Sequence, residues 1–509
     1  MRIPLDRESP VPLYQQIQRQ LRTQIQEGRL PADTRLPASR DLAAALRVSR
    51  VTVTNAYADL EAEGLVVSRP GSGTYVAGPL PSFPGGDAAA PEAHDWPLWQ
   101  QELLTRTWLS SQRAPDPLAQ AAAGLDAISF APGQGCETLF PVDEFRRALQ
   151  TVLRRDGAAA LGYGDRAGYL PLRERIAQIL SRQGLPAHPD ELLVTSGSQQ
   201  ALSLVATLLV RPGDGVVVES PTYPGAIDLF RSLGAQLLGV PVDEHGLRID
   251  ALEQALRRDR VRLLYTIPTF QNPTGTCLPA ARRRALVSLA DRYNVPVLED
   301  DFVGDLRYEG RAQPALKALD PGGRVIYAST FSKMLAPGLR VGFLMASGPV
   351  FDRLLEQKRT SDLTSSSLMQ RALEAYITVG RYQAHLRRAC QTYRRRRDVM
   401  LAMLARHLPP GAHWTAPQGG LFIWVRLPDG LSADDLVPLA AAQGVGFVPG
   451  SQLYPAERAQ PYLRLNFALH TPETIEAGVR RLGRAVDLLL TRQPGDRAHT
   501  ARRRPGVSV

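Results

Sequence analysis

Residues 324–343 read RVIYASTFSKMLAPGLRVGF. The first seven of them have the β-branched and aromatic pattern of a buried strand, which ends shortly before Lys333. The chain contains 60 Lys and Arg residues, of which only Lys317, Lys333 and Lys358 are lysines. A lysine in a chain that otherwise uses arginine suggests a chemical role, because its amine can lose a proton and attack a carbonyl carbon to form a Schiff base.

The sequence around this lysine alternates short apolar runs with helical patterns. The other predicted strands are LLVTSG (192–197), VVVESPTYPG (216–225), RLLYTIP (262–268) and VPVLEDD (295–301). This alternation predicts an α/β domain with a mixed, mostly parallel sheet that is flanked by helices. Ligands of such sheets bind beyond the carboxyl ends of the strands, where Lys333 falls.

Residues near these strand ends fit a pyridoxal phosphate site around Lys333. Asp300, in EDDF (299–302), would keep the pyridine nitrogen protonated, so that the ring can withdraw electrons. The turn TSGSQQAL (195–202) opens a helix, and the backbone amides at such a helix start bind phosphate. The remaining predicted cofactor contacts are Ser198, Gln199, Thr330, Ser332 and Arg340 toward the phosphate, Asn272 toward the ring hydroxyl, and Tyr223 stacked on the ring. Each feature alone also fits a structural turn or cap, but together they predict Lys333 as the cofactor lysine.

The first 77 residues follow a different pattern. We expect helices over 13–31, 39–46 and 50–64, with a tight turn between the second and third and a two-stranded wing over 65–77. This layout is typical of a winged helix-turn-helix domain that binds double-stranded DNA, although a small helical module that binds protein is the alternative. We expect Val51, Val53, Tyr57 and Leu60 to form the buried side of the third helix. The predicted DNA contacts are Ser49, Arg50, Thr52 and Thr54 at the start of that helix, with Arg40 and Arg69 beside it.

Two resemblances carry these predictions further. The stretch LPASRDLAAALRVSRVTVTNAYADLEAEGL (36–65) and GSGTYV (71–76) resemble GntR-type regulators, which implies a wing contact near Gly71. The stretch from about 125 to 490 resembles fold-type I pyridoxal phosphate aminotransferases of the aminoadipate or multiple-substrate branch, with a smaller C-terminal α+β subdomain. The motifs that carry this likeness are GYGDRAGYLPLRERIA (162–177), SGSQQAL, PTYPGA, QNPTG, EDD, SKMLAPGLRVGF and YLRLNFA (462–468).

The second resemblance implies further roles. Arg464 would bind the carboxylate of a substrate or effector, and Tyr163 would reach the cofactor phosphate of a neighbouring subunit in a homodimer, which could be domain-swapped. Phe302 departs from the family pattern, which has a tyrosine there that donates to the ring oxygen. The combination of both domains is that of the MocR subfamily of GntR-type transcription regulators.

Composition sets the boundaries between these parts. We expect a DNA-binding domain over 1–77, a linker over 78–124, the aminotransferase-like domain over 125–490 and a disordered basic tail over 491–509. The linker begins with GPLPSFPGGDAAAPEAHD (78–95) and continues into a helical pattern over 96–109. The net charge of +10 favours an anionic partner. The absence of a hydrophobic N-terminal segment, of a membrane span and of metal-type cysteine spacing favours a cytoplasmic protein without a metal.

Three functions are compatible with this sequence. The first is a regulator in which pyridoxal phosphate or an amino compound controls operator binding. The second is a working aminotransferase with an accessory DNA-binding head, because Lys333, Asp300 and Arg464 nearly complete the set for transamination. The third is a binding scaffold without either chemistry.

Overall fold

The computed structural model describes residues 3–7, 9, 11–69, 72–77, 127–456 and 460–491. The chain divides into two compact units, and the described parts of these units are residues 3–77 and 127–491. The predicted linker, including its helix over 96–109, lies outside the described residues. So does the predicted tail, except for Thr491, which ends the last helix.

The first unit consists of three helices and a two-stranded antiparallel ribbon. Its elements are α1 (Leu13–Gln26), α2 (Ser39–Leu46), α3 (Arg50–Ala62), β1 (Val66–Arg69) and β2 (Gly73–Val76). The three helices pack around a common apolar core that includes Ile17, Leu21, Leu42, Val53 and Leu60. The helix, turn, helix and wing therefore follow the predicted order, although α1 ends five residues earlier than expected.

The turn between α2 and α3 is set by local hydrogen bonding. Arg47 ends α2 in a left-handed conformation with φ of 51°. Ser49 then caps α3, because its hydroxyl accepts a hydrogen bond from the Thr52 amide at 3.1 Å. The expectation that Val51 is buried is wrong, since 66% of this residue is exposed. Val53, Ala56, Tyr57 and Leu60 are the α3 residues that face the core.

The second unit is built on an eight-stranded sheet of β4 (Leu192–Thr195), β5 (Gly215–Ser220), β6 (Gln236–Asp243), β7 (Gly246–Leu247), β8 (Val261–Thr266), β9 (Val297–Asp301), β10 (Val325–Thr330) and β11 (Gly342–Met345). The order of these strands across the sheet is β4-β11-β10-β9-β8-β5-β6-β7. The strands β5, β6, β8, β9 and β10 run parallel, whereas β11 and β7 pair antiparallel with their neighbours. A short strand outside this sheet, β3 (Ile128–Ser129), precedes it in the chain.

Helices cover this sheet and bury its apolar side chains. The helices in chain order are α4 (Val142–Asp156), α5 (Leu170–Arg182), α6 (Ser198–Leu209), α7 (Pro224–Ser232), α8 (Ile249–Arg258), α9 (Ala280–Arg292), α10 (Pro349–Asp362), α11 (Ser367–Thr378), α12 (Arg381–His407), α13 (Ala433–Ala442) and α14 (Pro472–Thr491). The parallel strands β5, β9 and β10 are buried along almost their whole length, as expected for the centre of a sheet with helices on both faces.

A smaller antiparallel sheet follows in the C-terminal part, with the order β12-β13-β16-β15. Its strands, with the short β14 that pairs with β3, are β12 (His413–Trp414), β13 (Phe422–Arg426), β14 (Val445–Gly446), β15 (Val448–Pro449) and β16 (Tyr462–Asn466). Helices α13 and α14 pack with it into the same core. The mixed sheet and the smaller α+β part confirm the predicted fold class. No helix among the described residues combines the length and the apolarity that a membrane crossing requires.

Candidate functional site

The carboxyl ends of β5, β8, β9 and β10 bring four of the predicted side chains to one edge of the sheet. Tyr223 follows β5, Asn272 follows β8, Asp300 lies near the end of β9, and Lys333 follows β10. Asp300 is opposite Ala328 in the parallel register of β9 and β10. Because the strands are parallel, residues far apart in the sequence share this edge.

Asp300 is a buried carboxylate with one free oxygen. Its Oδ2 accepts a hydrogen bond from the Tyr265 hydroxyl at 2.8 Å, whereas its Oδ1 is buried and has no hydrogen-bond partner among the described residues. Burial raises the pKa of Asp300 to about 7, against the opposing effect of the Tyr265 hydrogen bond. A protonated pyridine nitrogen would supply the missing donor and a compensating charge, so this site fits the ring of pyridoxal phosphate.

Lys333 is half-buried next to two guanidinium groups. Burial lowers the pKa of its amine, and the positive charges of Arg340 and Arg464 lower it further, while Asp300 acts in the opposite direction. The environment therefore favours the neutral, nucleophilic form of the amine that attack on an aldehyde requires.

The turn before α6 forms a cup that gathers the side chains predicted to bind the cofactor phosphate. Gly197 has φ of +97°, and a Cβ atom there would lie 2.8 Å from Arg340 Nη2, so glycine lets the guanidinium approach the backbone. Arg340 donates to the Ser196 carbonyl at 2.8 Å and to the Ser332 hydroxyl at 3.4 Å. Ser198 and Gln199 open α6 beside it. The predicted phosphate donors Ser198, Gln199, Ser332 and Arg340 are thus brought together at a helix N-terminus.

Thr330 has a different place from its predicted neighbours. Its hydroxyl is buried, donates to the Val341 carbonyl at 3.2 Å and accepts from the Ser332 amide at 3.1 Å. These bonds shape the turn that carries Ser332 and Lys333, so Thr330 has a supporting position behind the cup.

A buried ion pair lies behind the cup and was missed in the sequence. The Ser196 amide donates to Gln200 Oε1 at 2.7 Å, and Gln200 Nε2 donates to Asp362 at 2.9 Å. Asp362 accepts from Lys358 at 2.7 Å, and the Lys358 side chain is fully buried. The rarity of lysine was the signal that could have drawn attention to Lys358, but its partners are set by tertiary packing.

Arg464 on β16 is held in the pocket by three neighbours. It donates to Asn272 Oδ1 at 3.0 Å and to the Ala131 carbonyl at 2.7 Å, and its guanidinium lies 4.2 Å from the centre of the Phe422 ring. Burial lowers its pKa to about 10, so Arg464 remains charged at neutral pH. Its Nε is buried and has no hydrogen-bond partner among the described residues, which leaves a donor for a carboxylate.

The loop that carries Asn272 is anchored by a buried acid that the sequence analysis did not single out. Glu219 accepts hydrogen bonds from the Thr266 hydroxyl at 2.6 Å and from Gln271 Nε2 at 3.0 Å. Burial raises the pKa of Glu219 to about 7. Glu219 therefore lies beneath the QNPTG loop and fixes the residue next to Asn272.

Tyr223, Phe302 and Tyr163 differ in their relation to the predicted pocket. The Tyr223 hydroxyl donates to Gln199 Oε1 at 3.2 Å, which places this half-buried ring beside the cup. Phe302 is buried and brings no donor. Tyr163 is 86% exposed and does not join the pocket of its own chain.

The predicted DNA-contacting side chains of the first unit differ in how they are engaged. The hydroxyls of Ser49 and Thr52 hydrogen-bond each other at 2.7 Å, and Thr54 donates to the Arg50 carbonyl at 3.0 Å. Arg50 itself is exposed.

The two flanking arginines each have an acidic partner. Arg40 lies 3.3 Å from the Asp41 carboxylate, and both side chains are largely exposed. Arg69 pairs with Asp33 at 2.9 Å and lies over the Tyr75 ring of the wing. Gly71 lies outside the described residues.

Comparison with known proteins identifies both units. Residues 130–482 match the family aminotransferase class I and II, and residues 13–76 match the bacterial regulatory proteins of the gntR family. The probable rhizopine catabolism regulatory protein MocR of Rhizobium meliloti is 34% identical over 503 residues, which cover 98% of this chain and 99% of that protein. The second unit is thus related to aminotransferases and the first unit to gntR-family regulators. The MocR relative matches this chain over nearly the whole length of both proteins.

Solved structures agree with this assignment. The multiple substrate aminotransferase of Thermococcus profundus matches with a TM-score of 0.71 and 35% identity, over 74% of this chain and 95% of that chain. The α-aminoadipate aminotransferase LysN of Thermus thermophilus, complexed with N-(5'-phosphopyridoxyl)-L-leucine, matches with a TM-score of 0.69 and 38% identity, over 74% and 96% of the two chains. The aminotransferase relationship implies pyridoxal phosphate as the cofactor, which the orphaned oxygen of Asp300 also favours.

Proposed function

This chain belongs to the MocR-like regulators, which join a GntR-type helix-turn-helix domain to an aminotransferase class I and II domain, and we propose that ligands of its pyridoxal phosphate pocket control operator binding. Lys333 and Asp300 would hold the cofactor, and Arg464 would hold the carboxylate of an amino compound. When bound, pyridoxal phosphate supplies an aldehyde that reacts with primary amines and a ring that withdraws electrons.

The observation that supports this proposal is that Arg464 contacts both the predicted cofactor pocket and the beginning of the described part of the second unit. Its guanidinium reaches into the pocket and also donates to the Ala131 carbonyl, in the first described stretch of the second unit. The neighbouring Asn466 holds the same stretch through the Gln134 carbonyl at 2.8 Å. This stretch continues along the chain toward the DNA-binding head.

A carboxylate that binds Nε of Arg464 would share the guanidinium with Ala131 and Asn272, which occupy its other two nitrogens. The effector would therefore change how residues 131–134 are held, and this change would pass into the preceding chain. Such coupling requires that the effector binds one arrangement of the heads more tightly than another, because equal binding shifts no equilibrium.

We further propose that the protein acts as a cytoplasmic homodimer with shared sites. The exposure of Tyr163 supports this proposal, because a tyrosine that serves the cofactor of a neighbouring subunit has to project away from its own pocket. Two heads in one dimer would bind two half-sites of an operator.

The test is operator binding by the full-length protein, measured by fluorescence anisotropy with and without pyridoxal phosphate and with a panel of amino acids. Arg464→Ala should retain the cofactor and basal DNA binding but lose the response to an amino-acid effector. If pyridoxal phosphate itself is the effector, Arg464→Ala should respond normally and Lys333→Ala should not. A response that survives both substitutions would show that this pocket is not the sensor.

Aminotransferase turnover is the second candidate function, and the combination of Lys333, Asp300 and Arg464 in one pocket favours it. Lys333 is placed to carry a proton, and its lowered pKa suits that task. Steady-state transamination with amino acids and 2-oxoglutarate tests this candidate. Rapid turnover without operator binding would favour the enzyme over the regulator.

A further inference from the structure

We propose that the exposed face of α3 reads A·T base pairs in the operator, with the Asn55 amide on adenine and the Val51 side chain on the thymine methyl group. This inference rests on the DNA binding proposed above and names the bases that the head recognises. Neither residue was among the predicted DNA contacts.

The orientation of α3 follows from its burial pattern. Val53, Ala56, Tyr57 and Leu60 pack into the core of the head, which turns the opposite side of the helix outward. The residues on that outward side are Arg50, Val51, Thr54, Asn55 and Ala58. Val51 and Asn55 are four residues apart and are therefore neighbours on this face.

The polar side chains at the start of α3 differ in whether they already make hydrogen bonds within the head. The hydroxyls of Ser49, Thr52 and Thr54 already take part in local hydrogen bonds. Among the described residues, no hydrogen bond engages the Asn55 side chain. Its amide therefore presents both a donor and an acceptor to a partner, and adenine offers the matching N7 acceptor and N6 donor in the major groove.

The charge pattern of α3 suits a groove lined by phosphates. Arg50 is the ionised residue on the exposed face. Glu61 is engaged by the Ser68 amide at 2.9 Å and the Ser68 hydroxyl at 3.0 Å, and Glu63 pairs with Arg22. Asp59 lies one turn beyond Asn55, and its negative charge would be repelled by the DNA phosphates. The base-reading part of α3 is thus its first two turns.

Val51 has an apolar side chain that the head leaves in water. Its exposed fraction of 66% excludes a role in the core, and its place between Arg50 and Thr54 puts it where base edges would lie. An apolar side chain distinguishes thymine by its 5-methyl group. Val51 and Asn55 are separated by about 6 Å along the helix axis, which corresponds to roughly two base-pair rises of about 3.4 Å.

The experiment uses the full-length protein with pyridoxal phosphate and a pool of random duplexes, from which tight binders are selected. Adenines in the selected duplex are then replaced singly by 7-deazaadenine, which lacks the N7 acceptor, and thymines by deoxyuridine, which lacks the methyl group. Affinities are measured by anisotropy for wild type, Asn55→Ala, Val51→Ala and the control Gln26→Ala, which removes an exposed amide on α1.

At one adenine, 7-deazaadenine should weaken wild type and Gln26→Ala by about 2- to 12-fold, as expected for the loss of one hydrogen bond, and leave Asn55→Ala unchanged. At one thymine, deoxyuridine should weaken wild type about 4-fold, as expected for one apolar carbon, and leave Val51→Ala unchanged. Unchanged sensitivity of both variants to every analogue would overturn the proposal while operator binding stands. If wild type selects no sequence at all, the proposed regulatory function fails as well.

Discussion

Replacing Asp300 by asparagine should stabilise the cofactor-free protein at neutral pH but weaken its binding of the cofactor. The carboxylate is buried, and its pKa is raised from 3.8 to about 7. Its ionised form is therefore disfavoured in the folded state. Asparagine has the same shape and can still accept the Tyr265 hydrogen bond, but it carries no charge.

The magnitude follows from the pKa values. The folded state binds this proton more tightly than the unfolded chain, so the contribution of Asp300 to stability is complete below about pH 4 and is lost as the pH rises through about 7. One pKa unit corresponds to about 1.4 kcal/mol, so the loss approaches ~4 kcal/mol at pH 8. About 1–2 kcal/mol of this loss has already occurred at pH 5, so Asp300→Asn should gain about 2–3 kcal/mol in its free energy of unfolding, relative to wild type without cofactor, between pH 5 and pH 8.

Cofactor should act in the opposite direction and narrow this difference. In wild type the pyridinium nitrogen supplies the partner that Oδ1 lacks, and a hydrogen bond to a charged group contributes about 1.5–3 kcal/mol. Asp300→Asn should therefore bind pyridoxal phosphate about 10- to 150-fold more weakly. Asp301→Asn is the matched control, because the Asp301 pKa is also raised by burial but its side chain points to the other face of β9.

The assay is urea unfolding at pH 5 and pH 8, with and without pyridoxal phosphate, together with equilibrium dialysis of the cofactor. Asp301→Asn should keep the cofactor affinity of wild type. If Asp300→Asn is no more stable than wild type at pH 8 without cofactor, burial of the ionised Asp300 carboxylate does not destabilise the folded protein. If it binds the cofactor as tightly as wild type, Asp300 does not hold the ring nitrogen.

Further predictions concern single contacts. Borohydride reduction should attach the cofactor to Lys333, and peptide mapping that labels Lys317 or Lys358 would contradict the site assignment. Lys358→Met should remove the cation that pairs with Asp362, leave this half-buried carboxylate with uncharged donors only, and destabilise the protein by about 1–3 kcal/mol; unchanged urea unfolding would refute the role of this ion pair. Arg50→Ala should weaken specific DNA binding by about 1–3 kcal/mol if it reads a guanine edge, and equal anisotropy titrations of wild type and variant would remove Arg50 from the interface.

The parts of the site that can be predicted from the sequence are those that depend on chain direction alone. Parallel strands bring their carboxyl ends together, so Asp300, Asn272 and Lys333 could be placed at one edge from the strand pattern. The Tyr265 hydroxyl that binds Asp300 could not, because it depends on the side-chain packing between adjacent strands. The same holds for the contact between Arg464 and Asn272, which joins a strand of the smaller sheet to the loop after β8.

Arginine-rich stretches show the same limit. The charges of the run YRRRRD (393–398) by themselves predict a solvated helix face, but Arg396 and Arg397 are buried. Arg397 donates to the Pro417 carbonyl and pairs with Glu309, each at 2.8 Å. A pattern of charges does not reveal which distant groups will pack against it. The exposure of Val51 was likewise missed, because it depends on which side of α3 faces the core of the first unit.

The placement of the lysines affects how genomic targets of this protein can be found. Residues 3–77 contain no lysine, and the three lysines of the chain are buried or half-buried in the second unit. Formaldehyde fixation depends largely on lysine amines that contact DNA, so the head offers no such amine to chromatin capture. Ultraviolet crosslinking does not depend on amines and should recover bound operators from cells more completely.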